Sequence, residues 1–272
     1  MENTVIAGFR GPYCTYSLPA EQVQVLATIR RAQALCAMTE IRLDFARATV
    51  HEKLRSTIKM MKLLKWNAPI LHQHVRQAIT EAATAETVDQ LMGIEGSVSR
   101  KMYQEWSVRL PQEFGFTGRN RRPPLDPANA YISYCNSITY SLCVPPLAKA
   151  GLNTAVGFLH EPGARRHSLA LDMAEGLKPI LSEYSLGMAI KKKQFESGMV
   201  ENTPAGCYLN CEGRKAARFA MKTAMNDLFG QSDRDRMGWP ESFWEGMKDY
   251  AESLVKGIVR GKAASSWWSF LK

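Results

Sequence analysis

Residues 23–64 read VQVLATIRRAQALCAMTEIRLDFARATVHEKLRSTIKMMKLL, and this stretch decides the fold class. Its apolar side chains recur every three or four positions, for example at Ile29, Ala32 and Leu35, which is the period of a helix with one buried face. Good helix formers continue to Leu64 without a proline or a glycine. The stretch predicts one very long helix, or two helices joined at a kink.

The same helical period returns along the rest of the chain, between short segments rich in glycine and proline. We expect further helices over about 69–82, 85–92, 97–110, 128–142, 181–190 and 241–260. No internal repeat or strong strand pattern is present. The sequence therefore predicts an all-α protein: a short extended N-terminal arm (1–19), a single large multi-helix lobe (20–262) and a C-terminal tail (263–272). In the tail, Trp267 and Trp268 either dock on the lobe or serve a partner.

The composition favours a globular protein with a polyanionic partner. The chain has 272 residues, of which 45% are hydrophobic, so it can bury a sizeable core. Its 35 Lys and Arg residues against 26 Asp and Glu give a net charge of +9. Nucleic acid is the leading partner for such a charge, and an anionic membrane surface is the lesser one.

Neither a secretory signal nor a membrane span is expected. The N-terminal sequence has no basic start followed by an apolar block, which favours a cytoplasmic protein. Residues 127–148 form an uncharged run that is long enough to raise the membrane question. That run contains Asn129, Asn136, Pro145 and Pro146, so it reads as a buried helix with no role in a membrane.

Chemistry-capable side chains are densest in residues 157–175, GFLHEPGARRHSLALDMAE. The pattern is a turn followed by a helix, on which Asp172 and Glu175 are three residues apart and share a face. Carboxylates near His160 suit a divalent metal beside a phosphate. Two basic residues in the turn fit that interpretation, Arg165 and Arg166. A capped amphipathic helix with solvated charges explains the same residues and stays open.

A further acidic residue, Glu95, stands between Gly93 and Gly96 at what reads as a helix start. The helix dipole favours a carboxylate there, and the glycines leave it accessible to a ligand. An acidic residue in a first helical turn is also routine, so Glu95 by itself decides nothing.

Basic residues cluster in three other places. Each cluster suits phosphate contacts, and each is also explained by solvated charge. They are a glycine- and proline-rich loop with Arg119, Arg121 and Arg122, a helical stripe of Arg55, Lys59 and Lys62, and a second stripe with Arg214 and Arg218.

Six motifs, in this order, carry a family likeness: IEG at 94–96, RPPLDPANA at 122–130, GL at 151–152, GFLHE at 157–161, SLALDMAE at 168–175 and YLNCEGRK at 208–215. Over about residues 25–230 the chain resembles the catalytic lobe of the CRISPR-associated protein one family. That family comprises the integrases that insert new spacers into CRISPR arrays.

The resemblance implies a function and a site. Glu95, His160 and Glu175 match the ligands of one divalent metal, Mg²⁺ or Mn²⁺, and Asp172 matches a nearby catalytic acid. The lobe would then be a metal-dependent endonuclease and integrase, which joins the 3′-OH ends of short duplex DNA into a repeat array by transesterification. The loop arginines, with Arg165 and Arg166, would neutralise phosphates.

The resemblance also implies partners and one departure from the family. We expect double-stranded DNA, both prespacer and CRISPR repeat, a homo-oligomer (dimer or tetramer) and a dispensable CRISPR-associated protein two. Family members usually carry a small β-rich domain before the lobe, and the residues ahead of Glu21 leave no room for it. The alternatives are a transposon-type integrase or structure-selective nuclease using the same site, and a non-enzymatic helical DNA-binding scaffold.

Overall fold

The structure is a computed structural model that describes residues 6–10, 13–17, 20–161, 167–235 and 238–268. Most of the described chain is helical, so the predicted all-α class is confirmed. The helices are α1 (Ala20–Met38), α2 (Ile41–Leu63), α3 (Pro69–Thr84), α4 (Val88–Arg109), α5 (Pro127–Lys149), α6 (Ser168–Glu175), α7 (Ser185–Lys191), α8 (Cys211–Phe229) and α9 (Glu241–Arg260). A 3₁₀ turn lies at Gln112–Phe114, and a π-helical segment at Pro179–Tyr184 leads into α7.

The stretch 23–64 forms two helices, which settles the alternative left open by its sequence. The helix is interrupted at Thr39 and Glu40. There the Thr39 hydroxyl donates a hydrogen bond to the Leu35 carbonyl, 2.9 Å away. α2 then runs through the centre of the protein and contacts α3, α4, α6 and the π-helical segment. Twelve of its residues are buried, from Phe45 to Met61, so this helix positions its neighbours.

The predicted break between residues 92 and 97 is wrong. α4 begins at Val88 and continues without interruption through Gly93 and Gly96. Its start is fixed by a capping box, in which Thr87 accepts from the Gln90 amide and the Gln90 side chain accepts from the Thr87 amide. Two interior glycines cost roughly 1 kcal/mol each, and this cost is tolerated because the helix buries a face on α2 and α3.

The uncharged run forms α5, longer than predicted and with Pro145 and Pro146 inside it. Asp126 caps its start by accepting from the Asn129 amide at 2.8 Å. Cys135, Thr139, Cys143 and six other residues of this helix are buried. Over the part of the chain that the structure describes, no helix is long and apolar enough to cross a membrane.

Two β-hairpins were not predicted from the sequence. β1 (Ile6–Arg10) pairs antiparallel with β2 (Tyr13–Ser17) within the predicted extended arm. β3 (Val200–Thr203) pairs with β4 (Gly206–Leu209) just before α8. The latter strands have four residues each, which is too short for an alternating pattern to stand out.

The C-terminal tail docks on α2, which answers the question left open for its tryptophans. Trp267 and Trp268 are 3% and 0% exposed. The Glu52 carboxylate, on α2, accepts from both of their backbone amides, at 2.6 and 3.1 Å. Burial raises the pKa of Glu52 to about 8, although these two amides favour the ionised form.

Candidate metal centre

Asp172 organises the turn that precedes α6. Its carboxylate accepts from the backbone amides of Phe158, Leu159 and His160 at 2.6, 3.1 and 3.0 Å. The turn approaches α6 so closely that a Cβ on Gly157 would lie 2.9 Å from the Asp172 carboxylate. The sequence GFLH followed by ALD therefore folds into a fixed loop because one buried carboxylate satisfies three successive amides.

The same carboxylate orients the His160 ring. Nδ1 of His160 lies 2.7 Å from Asp172 Oδ1, and Nε2 lies 3.7 Å from Glu175 Oε1. A neutral ring that donates from Nδ1 to Asp172 leaves the Nε2 lone pair directed at Glu175. This arrangement makes Asp172 a positioning residue and leaves Nε2 able to bind a cation.

Glu95 and Glu175 meet across a buried lysine from α2. The Lys53 ammonium contacts Glu95 and lies 3.0 Å from Glu175 Oε2. Lys178, one turn after Glu175, contacts its other oxygen. We call Lys53, Glu95, Glu175 and Lys178 the carboxylate–lysine cluster. Because α2, α4 and the end of α6 converge here, residues more than 120 positions apart in sequence share one buried site.

The charges of the cluster stabilise one another. Burial on its own raises the pKa of Glu175, but Lys178 and Lys53 outweigh it and hold that pKa below its usual range. Glu95 follows the same pattern, since Lys53 overcomes the effect of burial on its pKa. Burial lowers the pKa of Lys53, yet the two carboxylates raise it well above normal. Both carboxylates are therefore ionised and Lys53 is charged at neutral pH.

One sequence interpretation needs correction, and one residue of the cluster was missed. Glu95 lies in the interior of α4, eight positions after Thr87, and not at a helix start; the hydroxyl of Ser99, one turn on, donates to it at 2.9 Å. No motif in the sequence points to Lys53, whose side chain is only 10% exposed on a helix rich in basic residues. The available signal was its apolar setting, between residues that the helical period places inside. Arg165 and Arg166 lie outside the described residues.

The donors present fit a hard divalent cation, although no three of them converge as a ready metal site within the described ranges. Carboxylate oxygens and one imidazole nitrogen are ligands that Mg²⁺ and Mn²⁺ accept. Glu175 Oε2 is buried and makes no hydrogen bond, and its partner is the Lys53 ammonium 3.0 Å away. The Lys53 ammonium occupies a position between two carboxylates, which is where a bound cation would be stabilised.

The arginine loop and α8, which are far apart in sequence, come together. Arg119 turns inward and donates to Asn129 Oδ1 at 2.8 Å and to Ser133 Oγ at 3.0 Å. Arg121, Arg122 and Arg214 line a single cavity between the loop, α5 and the β3–β4 hairpin. Arg218 is exposed on α8. On α2, Arg55 donates to the Ser265 carbonyl at 3.3 Å, and Lys62 is exposed.

Comparison with known proteins assigns the chain to a family. The family model described as CRISPR associated protein Cas1 matches residues 3–222, well over half of the chain. This chain belongs to the Cas1 family. The CRISPR-associated endonuclease Cas1 of Haloferax volcanii is 27% identical over 224 residues, which are 81% of this Cas1 chain and 66% of that protein. Two further relatives are matched over 52% and 46% of their own length.

Solved structures share the fold of this Cas1 chain. A CAS1 protein from Thermotoga maritima superposes with a TM-score of 0.74 at 25% identity, over 91% of this chain and 75% of that one. A casposase bound to integration product also gives a TM-score of 0.74, at 19% identity, and covers 93% of this chain and 70% of its own. The likeness to the casposase is one of fold.

Proposed function

We propose that this Cas1 chain is a metal-dependent DNA endonuclease and integrase that joins 3′-OH ends of short duplex DNA to a repeat array. One observation supports the proposal: the Lys53 ammonium lies between Glu95 and Glu175, and His160 Nε2 lies 3.7 Å from the other oxygen of Glu175. A helix cap or a solvated charged face does not explain two carboxylates that face a lysine whose side chain is only 10% exposed.

Glu95, Glu175 and His160 Nε2 would hold the metal, Mg²⁺ or Mn²⁺. When bound, such a metal polarises the scissile phosphodiester and lowers the pKa of the attacking hydroxyl. The chain supplies the rest. In the neutral ring, donation from His160 Nδ1 to Asp172 places the lone pair on Nε2. Lys178, 5.0 Å from the centre of the Tyr140 ring, adds a fixed positive charge for the phosphate oxygens.

In transesterification at this site, the attacking group would be a DNA 3′-OH, which takes the place that water has in hydrolysis. Hydrolysis by the same residues would give the endonuclease activity. Double-stranded DNA as prespacer and as repeat, self-association and an optional CRISPR-associated protein two belong to this proposal.

The test is a strand-joining assay with a short duplex and a repeat-containing plasmid, in Mg²⁺ and in Mn²⁺. We expect wild type to produce covalent joints, and His160→Ala to lose them while its affinity for duplex DNA stays within about twofold. His72→Ala, which lies on α3 outside the cluster, is the matched control and should join normally. Joining that survives both chelation and His160→Ala would contradict the proposal.

A second measurement separates an enzyme from a DNA-binding scaffold with the same fold. Mn²⁺ should raise the melting temperature of wild type, because a ligand that binds only the folded state stabilises it. Glu95→Ala and Glu175→Ala should abolish that increase. A scaffold without a metal site predicts no increase in any of the three proteins.

A further inference from the structure

The loop that carries His160 is fixed on two sides, and one side is formed by helices that supply none of the proposed metal ligands. We call residues 151–161 the histidine loop. On one side, Asp172 of α6 accepts hydrogen bonds from the amides of Phe158, Leu159 and His160. On the other side, side chains of α1 and of the start of α2 donate to carbonyls of the loop. The position of His160 therefore depends on both sides.

The Gln33 side chain, on α1, is hydrogen-bonded to the histidine loop at three points. Its Nε2 donates to the carbonyls of Asn153 and Val156 at 2.9 and 2.8 Å, and its Oε1 accepts from the Asn153 amide at 2.8 Å. These bonds use both donors of the side-chain amide and one of its acceptor positions. Arg30, one turn earlier, donates from Nε to the Gly151 carbonyl at 3.2 Å. α1 is thus tied to a loop that lies 120 positions later in the sequence.

Arg42, in the first turn of α2, contacts the histidine loop closer to His160. Its Nε donates to the Phe158 carbonyl at 2.8 Å, and its Nη2 forms an ion pair with Glu161. Phe158 is therefore fixed at both of its backbone polar groups, because Asp172 accepts from its amide and Arg42 donates to its carbonyl. The two residues after it in the loop include His160, so their path is set from both sides.

The contact between α1 and the histidine loop is polar, although it is buried. Among residues 24–38 of α1, only Gln33 and Cys36 are buried. Cys36 lies on the side of α9, where its thiol contacts the Ile258 carbonyl at 3.5 Å. A buried side-chain amide is costly unless its hydrogen bonds are made, so an apolar residue would serve packing alone at least as well. The three directed bonds of Gln33 fix the path of the loop as well as its burial.

We propose that Gln33 and Arg42 are positioning residues of the metal centre: through them, the corner between α1 and α2 sets the place of His160 Nε2 relative to Glu175. The proposal rests on the proposed function, because it takes His160 as a metal ligand. Loss of the hydrogen bonds that orient a metal ligand typically lowers metal affinity by roughly 10–100-fold. Metal affinity should therefore depend on α1, a helix that contributes no ligand.

The first measurement needs no metal. Hydrogen exchange of the full chain in chelator, followed by mass spectrometry, reports on the amides of the histidine loop. We expect peptides from the loop to exchange roughly tenfold faster in Gln33→Leu and in Arg42→Met than in wild type, because each variant removes at least two of the hydrogen bonds that close the loop. Peptides from α4, which carries Glu95, should keep their wild-type rates.

The second measurement is Mn²⁺ affinity, obtained from the electron paramagnetic resonance signal of free Mn²⁺. We expect Gln33→Leu and Arg42→Met each to bind Mn²⁺ roughly tenfold more weakly than wild type. Two control variants of α1 should stay within about twofold of the wild-type affinity. Gln24→Leu changes an exposed amide of the same helix, and Cys36→Ala shortens a buried side chain on the α9 side, which destabilises the protein and leaves the bonds to the loop in place.

The outcomes distinguish this inference from the proposed function. If His160→Ala loses Mn²⁺ binding while Gln33→Leu and Arg42→Met keep the wild-type affinity, the positioning role is overturned and the metal site stands. If wild type binds no Mn²⁺, the proposed function fails and this inference fails with it. Faster loop exchange and weaker Mn²⁺ binding in the variants, with unchanged controls, support it. Because the Arg42 side chain is 24% exposed, Arg42→Met decides the question even where Gln33→Leu does not fold.

Discussion

At the residue scale, two acidic side chains of α6 that look alike in sequence have different tasks. Asp172 uses its hydrogen-bonding capacity on the turn and on the His160 ring. Glu175, three residues later, faces Lys53 and Lys178. The sequence predicts that they share a helix face. Which one touches a loop and which one touches a cation depends on the packing of α2 and the turn against that face.

Lys53 is the residue of the cluster that the sequence-based prediction missed. Its partners Glu95 and Glu175 are 42 and 122 positions away, so no local spacing connects them. Replacing it by glutamine leaves Glu95 and Glu175 facing each other with Lys178, on the far side of Glu175, as the remaining cation of the cluster. We therefore expect Lys53→Gln to lower the free energy of unfolding in chelator by about 3 kcal/mol, measured by urea denaturation.

Mn²⁺ should then raise the melting temperature of Lys53→Gln more than that of wild type, because the metal no longer competes with an ammonium. Lys62→Gln, on the same helix but exposed, should change the free energy of unfolding by less than about 0.5 kcal/mol. If Lys53→Gln and Lys62→Gln were equally stable, the cluster would not depend on Lys53 as described.

At the element scale, long amphipathic helices were predictable and short or interrupted elements were not. The bounds of α9 match the prediction because its apolar face is regular and its ends are marked by Pro240 and Gly261. Glycines at 93 and 96 suggested a helix start, yet tertiary packing carries α4 across them. The β3–β4 hairpin is held by its contact with Pro124, far away in sequence.

The junction of α2 with the tail should respond to pH through Glu52. Its pKa is about 8 in the folded protein, above the ordinary value of 4.5 that it regains on unfolding. The folded state therefore holds a proton that the unfolded state releases, and this contribution to stability is complete below about pH 4.5. It is lost as the pH rises towards 8, where the buried carboxyl must ionise.

Glu52→Gln keeps an oxygen for the two tryptophan amides and removes that ionisation. Relative to wild type, we expect the variant to gain on the order of 2 kcal/mol in the free energy of unfolding between pH 5.5 and pH 8.5. Denaturant unfolding at both pH values measures this. Glu245→Gln, exposed on α9, is the control and should show no such gain. An identical pH dependence in Glu52→Gln and wild type would rule out Glu52 as the titrating group.

At the scale of the whole molecule, the excess positive charge is spread over faces that are not equivalent. Arg218 lies one turn after Arg214, on the same side of α8 as the cavity. Lys62 lies nine positions after Lys53, about half a turn around α2 from the side that faces the carboxylates. The sequence does not distinguish the basic stripe of α2 from that of α8, because it shows neither which side of α2 is buried nor what α8 contacts.

Salt dependence of duplex binding distinguishes the two faces. For each phosphate that the protein no longer neutralises, the slope of log K against log salt concentration falls by about 0.9. We expect Arg218→Gln to show that decrease and Lys62→Gln to keep the wild-type slope, in anisotropy titrations of blunt duplex over a series of KCl concentrations. The reverse pattern would place the DNA along α2.

The contact between the tail and Glu52 has a practical consequence for work with this protein. Glu52 and Lys53 are adjacent on α2, so the helix turn that carries the cluster also anchors the two tryptophans. A truncation that removes Ser266 and the residues after it, or a bulky tag fused at that point, would remove the Trp267 and Trp268 amides from the buried carboxyl of Glu52. Glu52 is the residue next to Lys53. Changes at Ser266, Trp267 or Trp268 would thus have the same effect as damage to the carboxylate–lysine cluster, although none of the three belongs to it. Affinity tags are best placed elsewhere.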